Sequence, residues 1–218
     1  MAEAEEERDV TKGIRIFTQN SIRMEKEKII YFDPFRINQE LKDADIIFIT
    51  HNHYDHFSLE DIGNVAKKDT KIVLPERMKK DTKRLNFAEE NIFYVKPEQS
   101  YTVDGIYFTT VPSYNIIKPF HPKSYGGVGY LLEIQGIRYY IAGDMDLTPE
   151  SRKVQCDVAF LPIGGIYTMN YKKAAELANL IKPKVVIPVH YGSIIGKRED
   201  GLRFQELLAS DIQCEIYI

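Results

Sequence analysis

The sequence has no tryptophan, only two cysteines, and no apolar run long enough to cross a bilayer. Each absence excludes something. Cys156 and Cys214 are too few for a disulfide framework; they read as buried thiols in strand-adjacent segments, and the expected setting is the reducing cytoplasm. Without about 18 consecutive apolar residues, no membrane-spanning helix is expected. Positive charge is not in excess either: Lys+Arg number 29 against 32 Asp+Glu, a net charge of −3. No global field therefore exists to hold a polyanion. The opening MAEAEEERDV lacks the basic-then-apolar pattern of a secretory signal. It is too polar to offset its ordering entropy, so residues 1–10 are expected as an acidic, disordered tail. No Gly/Ser- or Pro-rich linker and no repeat follows, and residues 11–218 read as one domain.

What is present is ordinary globular material, 44% hydrophobic and 28% charged, with 14 tyrosines to fill a core and its rims. Gly13–Met24 and Lys28–Phe35 read as strands joined by the charged turn EKEK. Ala44–Thr50 is a nearly all-apolar strand, buried on both faces, and Ser58 caps a short helix behind it. Lys71–Leu74, Ile92–Val95, Ser100–Val103 and Ile106–Val111 continue the strands, the last two joined by an Asp104-Gly105 turn. Val128–Ile134 and Ile137–Ala142 form a second hairpin around Gln135-Gly136. Val158–Pro162 and Val185–Val189 are short buried strands. Between them, Asn170 caps the helix Tyr171–Ile181, which shows Ala174, Leu177, Ala178 and Ile181 on one face. Residues 202–209 read as helical, and Cys214–Ile218 as a closing strand. The basic run Arg77–Arg84 reads as a solvated helix face; it lacks aromatics for base stacking, so nucleic acid is not the expected partner. Sheets covered by helices follow, an α/β or α+β layered domain.

The chemistry is concentrated in the histidines. Of five, three fall in His51-Asn52-His53-Tyr54-Asp55-His56. In an extended segment, residues two apart point the same way, so His51 and His53 can share one ion. Asp55 and His56 come where the chain turns, and they aim at a neighbouring point. By average composition this pattern arises by chance in about one chain in ten thousand of this length. Imidazole and carboxylate donors suit zinc above all, with Mn, Fe and Ni also compatible. Two further metal-competent side chains stand just past apolar strands: Asp144 in Gly143-Asp144, and His190 in VIPVHYGS.

Together, Asp33 in YFDPF, the HNHYDH block, Asp144 in AGDMD and His190 in VIPVHYGS resemble the metallo-β-lactamase superfamily of metal-dependent hydrolases. The compact length is similar to its small stand-alone members, the group that includes L-ascorbate-6-phosphate lactonase and relatives of N-acylphosphatidylethanolamine phospholipase D. The resemblance implies a four-layer αββα sandwich with the site at one edge, between the sheets. It implies a first metal held by His51 and His53, a second held by Asp55, His56 and His190, Asp144 bridging them, and Asp33 bracing the metal loop. The family's usual third ligand to the first metal, a histidine in a Pro-x-His setting, is missing from Val111-Pro112-Ser113-Tyr114-Asn115. Three roles stay open for His121: replacement ligand, general acid or substrate contact, or plain loop residue. Asn115 is the alternative oxygen donor.

Such a site implies hydrolysis of an ester-type bond by a metal-activated water, with Asp55 orienting or deprotonating it. His121, Tyr114 and Tyr191 are the candidate proton donors to the leaving group. Lys118, Lys123 and Arg198 flank the site, and Gly164-Gly165 offers backbone N–H groups. These favour a small anionic substrate such as a phosphodiester, with a lactone or amide as the alternative. A non-catalytic metal-binding sensor or partner module on the same fold is the rival reading. The sequence does not fix the oligomeric state.

Overall fold

The computed structural model describes residues 9–218. Most of the expected tail lies outside the described residues; of its last two, Asp9 Oδ1 accepts from the Thr11 N–H at 3.0 Å and the Val10 carbonyl accepts from the Tyr139 hydroxyl at 3.0 Å. Two sheets form the body. The first contains six strands in sequential order: β1 (Ile14–Ile16), β2 (Ile22–Glu25), β3 (Ile29–Phe32), β4 (Ala44–Phe48), β5 (Ala66–Pro75) and β6 (Ile92–Val95). The second contains β7 (Ser100–Val103), β8 (Ile106–Pro112), β9 (Val128–Ile134), β10 (Ile137–Ile141), β11 (Val158–Pro162), β12 (Val185–Val189) and β13 (Gln213–Cys214), again side by side in chain order. Each sheet starts as an antiparallel meander and turns parallel, at β3–β4 in one and β10–β11 in the other.

Alternation along the parallel strands explains the layering. Ile46 and Phe48 of β4 enter the core between the sheets, where they meet Phe108, Tyr130, Phe160 and Ile187. Ile47 and Ile49 point the other way, onto Ile62 and Val65 of helix α1 (Leu59–Val65). In the second sheet Ala159, Leu161 and Val186 face outward onto Ala174, Leu177 and Ala178 of α2 (Tyr171–Ile181). A strand covered on both faces favours apolar residues at nearly every position, which is why these segments read as near-continuous apolar runs, Asp45 of β4 being the exception. Three cores separate four layers, so the αββα sandwich is present. The caps form as the sequence predicts: Ser58 accepts from the Asp61 N–H, and Asn170 from the Lys173 N–H.

Five segments differ from the sequence reading. Strand β5 runs over Ala66–Pro75, where only Lys71–Leu74 was expected. Gly13–Met24 is two strands, because Thr18 to Ser21 turns the chain, with Ser21 N–H on the Thr18 carbonyl at 2.8 Å. The basic run is a 3₁₀ helix, Glu76–Arg84. Helix α3 spans Glu199–Gln205, earlier than expected, since Glu199 and Asp200 suit a first helical turn and Asp200 accepts the Lys197 N–H at 2.8 Å. At the C-terminus only Gln213 and Cys214 pair as strand, with β12. No described helix is long and apolar enough to cross a membrane.

Candidate metal centre

The site gathers where β3, β4, β8, β10 and β12 all end, at the carboxyl edge of both sheets. Asp33 follows β3 at a positive φ of 43° and is completely buried. Its Oδ1 accepts the Thr50 N–H at 2.8 Å; its Oδ2 accepts from Asn20 Nδ2 (2.7 Å), Thr50 Oγ1 (2.6 Å) and His56 Nδ1 (2.7 Å). One carboxylate thus fixes the start of the histidine loop and turns His56 Nε2 inward. His51 Nδ1 sits 3.0 Å from Thr50 Oγ1, which leaves its Nε2 free. Both the His56 and Phe57 N–H groups donate to the His53 carbonyl, so the block folds into a tight turn.

The second sheet supplies the opposing groups. Gly143, at φ +67°, passes so close to Thr50 that an added Cβ would lie 3.2 Å from its side chain, and Asp144 enters the centre behind it. After β8, Asn115 closes a return loop. Its N–H donates to the His121 carbonyl at 2.7 Å, and its Nδ2 donates to the carbonyls of Phe120 (2.9 Å) and Tyr167 (2.7 Å). That closure brings His121 back until its Nε2 is 2.9 Å from His53 Nδ1 and 3.6 Å from Asp144 Oδ2.

Two nests result, divided by one carboxylate. Asp144 Oδ2 faces His51 Nε2 at 4.0 Å and His121 at 3.6 Å. Asp144 Oδ1 faces His56 Nε2 and His190 Nε2, each at 3.3 Å, and Asp55 Oδ2 stands 3.4 Å from His190 Nε2. The structure therefore brings all of His51, His53, Asp55, His56, His121, Asp144 and His190 together, in three overlapping groups with donor atoms within 4.8 Å of one another. His51 Nε2 and Asp144 Oδ1 are buried without a hydrogen-bond partner, a costly state for polar atoms that cations would relieve. The donor set fits divalent ions.

For His51, His53, His121 and Asp55 electrostatics agree with that use. Burial holds His51 and His53 below the ordinary imidazole range and His121 down to about 4, so these rings keep their lone pairs at neutral pH. Burial opposes ionisation of Asp55, but the hydrogen bond and charge of His190 and the charge of His56 outweigh it and bring the carboxyl to about 2. Burial likewise disfavours charge on His56, yet Asp144 and Asp33 win and raise its pKa well above the usual value.

Several expected helpers lie elsewhere. The Tyr114 hydroxyl donates to Glu150 at 2.9 Å, and that of Tyr191 lies in the outer core against Gly201. Lys118 pairs with Asp146 and donates to the Thr168 carbonyl, Lys123 pairs with Glu150 at 2.6 Å, and the Gly165 N–H donates to Met169. Conversely, Gln19 was not singled out by the sequence and lies at the centre. It is fully buried, with Nε2 3.5 Å from Asp55 Oδ2 and 3.4 Å from His190 Nε2. The polar tetrapeptide Thr18-Gln19-Asn20-Ser21 was the signal for a turn there. Tyr125 also stands by the histidines, its ring centroid 5.6 Å from that of His53 and its hydroxyl donating to Asn52.

Comparison with known proteins agrees. A beta-lactamase superfamily domain model matches residues 13–190. The UPF0173 metal-dependent hydrolase of Pyrococcus abyssi is 30% identical over 209 residues, covering 85% of this chain and 87% of its own. The UPF0173 metal-dependent hydrolase TTHA1283 of Thermus thermophilus is 30% identical over 192 residues, covering 81% and 82%. A crystal structure named for a metal-dependent hydrolase of Parabacteroides distasonis superposes with a TM-score of 0.79 at 31% identity, covering 93% of this chain and 91% of the other. With the fold, the donor set and these relatives in agreement, the chain belongs to the metallo-β-lactamase superfamily, among its small metal-dependent hydrolases.

Proposed function

We propose that this hydrolase works with two divalent ions and cleaves an uncharged ester-type bond, a carboxylic ester or lactone, in a small molecule. His51, His53, His121 and Asp144 Oδ2 would hold one ion; Asp55, His56, His190 and Asp144 Oδ1 would hold the other. Zinc suits these borderline donors best. The observation that carries the reading is the division of Asp144, whose two oxygens face two separate sets of ring nitrogens. His121 takes the place of the family's missing histidine, and Asn115 serves it as the clasp of the return loop.

The ions, when bound, supply Lewis acidity that lets water lose a proton near neutral pH. The protein's own groups do the rest. Asp55, ionised throughout the neutral range, orients the water, takes its proton and returns it to the leaving oxygen. Asp33 holds the His56 ring through Nδ1, and the Thr50 hydroxyl holds that of His51. Of the three cations that favoured a phosphorylated substrate, Lys118 and Lys123 are neutralised by Asp146 and Glu150, and Arg198 alone keeps no acid partner among the described residues. For this reason carboxylic esters and lactones stand ahead of phosphodiesters.

The test is a panel of p-nitrophenyl butyrate, δ-valerolactone and bis-p-nitrophenyl phosphate on zinc-loaded protein. Ester or lactone turnover that falls by at least about a hundredfold in Asp55→Ala supports the reading. Turnover of the phosphodiester alone would return the substrate to the anionic class, and turnover unaffected in Asp55→Ala would remove Asp55 from the chemistry.

A further inference from the structure

Of the twelve exposed large apolar side chains among the described residues, five gather beside the metal centre. Ile116, Ile117, Phe120, Ile166 and Tyr167 all lie on two loops, one after β8 and one after β11, beside the first nest. Ile117 is 92% exposed and Ile166 68%. Singly exposed apolar residues need no explanation, but five on two adjoining loops at the rim of a polar site do.

These loops form one wall. Asn115 Nδ2 donates to the Tyr167 carbonyl at 2.7 Å and Lys118 Nζ to the Thr168 carbonyl at 2.7 Å. The Phe120 and Tyr167 rings meet edge to face, their centroids 4.7 Å apart. From below, Asp146 holds both ends of the turn: it accepts the Ile116 N–H at 3.1 Å and pairs with Lys118. The same loop carries His121 inward, one residue after Phe120. The apolar surface therefore begins where the donor set ends, and it is fixed in place rather than hinged.

We propose that this wall is a subsite for an apolar arm, an alkyl chain or aromatic ring, on the molecule whose ester-type bond is placed at the metal centre. The inference rests on the two-ion reading above and adds the character of the substrate beyond the cleaved bond. The occupant is the substrate itself, since the surface is continuous with the ligand His121. The lysines beside it are engaged by acids, which leaves little free positive charge to hold an anionic membrane.

The experiment compares binding of acetohydroxamate and octanohydroxamate to zinc-loaded protein by calorimetry. Both carry the same metal-chelating head, and only the chain differs. Octanohydroxamate should bind at least about tenfold more tightly, because part of each added methylene leaves water. In Ile117→Ser/Ile166→Ser the two affinities should converge, with acetohydroxamate binding and zinc content unchanged; both side chains are exposed, so the fold should tolerate their loss. Equal affinities in the wild type, or a chain-length gain that survives the double substitution, would overturn the subsite while leaving the metal centre standing. Failure of both hydroxamates to bind would overturn the two-ion reading, and the subsite with it. Co-sedimentation with phosphatidylcholine vesicles that the double substitution abolishes, without any chain-length preference, would assign the wall to a membrane surface instead.

Discussion

The main-chain N–H of His190 donates to the carbonyl of Gln19 at 2.9 Å, and both residues sit at positive φ, 57° and 50°. The bond ties the second sheet's last metal-competent histidine to a turn of the first sheet. Non-glycine residues hold such conformations only where their surroundings impose them. Here the Gln19 side chain adds a contact to the His190 ring and to Asp55. Gln19→Leu keeps the main-chain bond and removes the amide. It should lower affinity for the second ion by about 10–100-fold with little change in the first. Competition with a chromophoric chelator reads both steps, and an unchanged second step would reduce Gln19 to packing.

Asp33 is the other device behind the centre. Asp33→Asn preserves shape but replaces an acceptor of four hydrogen bonds by a group with one acceptor oxygen, opposite donors that include His56 Nδ1. A loss of about 1–3 kcal/mol in stability should follow, read by urea unfolding of metal-free protein. Affinity for the second ion should fall as well, since the His56 ring is no longer held. Wild-type stability in this variant would contradict the bracing role.

Acid should unfold the metal-free protein early. His51, His53 and His121 are held neutral by burial, His121 down to about 4, whereas in the unfolded chain they titrate near 6.5. Between those values the unfolded state binds more protons, so stability falls as pH falls through that window. His56 works in the opposite sense: its raised pKa contributes stability that is fully present below 6.5 and is lost as pH rises through its folded value. The three lowered rings outnumber it on the acid side. Melting temperature after chelation should drop by at least about 5 °C from pH 7 to pH 5. A flat profile would mean that the rings protonate without cost.

Gly164 is the tightest backbone approach to the second nest. A Cβ there would stand 2.2 Å from the His190 carbonyl oxygen and 2.7 Å from the Ile195 side chain. Gly164→Ala should destabilise by about 2 kcal/mol or more and displace His190, with second-ion binding lost ahead of the first. Thermal unfolding with metal titration checks both, and full retention of the second ion would show that the His190 loop can yield.

Most of the donor set could be read directly because it obeys short-range rules. His51, His53, Asp55 and His56 share one strand end and its turn, while Asp144 and His190 stand just past apolar strands and gain their expected role only beside that block and through the family resemblance. The layers were readable for the same reason, since a doubly covered strand such as β12 is apolar at every position and β4 is broken only by Asp45 near its start. His121 stayed open because its placement depends on Asn115 bonding to Tyr167, 52 residues away. Gln19 went unnoticed because β1 and β2 read as one strand, and its role depends on a neighbour from the far end of the chain. The ion pairs of the basic loop residues were hidden for a third reason: the sequence shows Lys118 and Lys123 but not the fold that brings Asp146 and Glu150 to them.

The proposed two-ion centre depends on His121 as a ligand of the first ion. Metal content by inductively coupled plasma mass spectrometry, on wild-type protein and on His121→Ala, tests it most directly. About two ions per wild-type chain and about one in the variant are expected, because the first nest of the variant keeps only His51, His53 and a shared Asp144 oxygen. One ion or fewer in both proteins, or two in both, would contradict it.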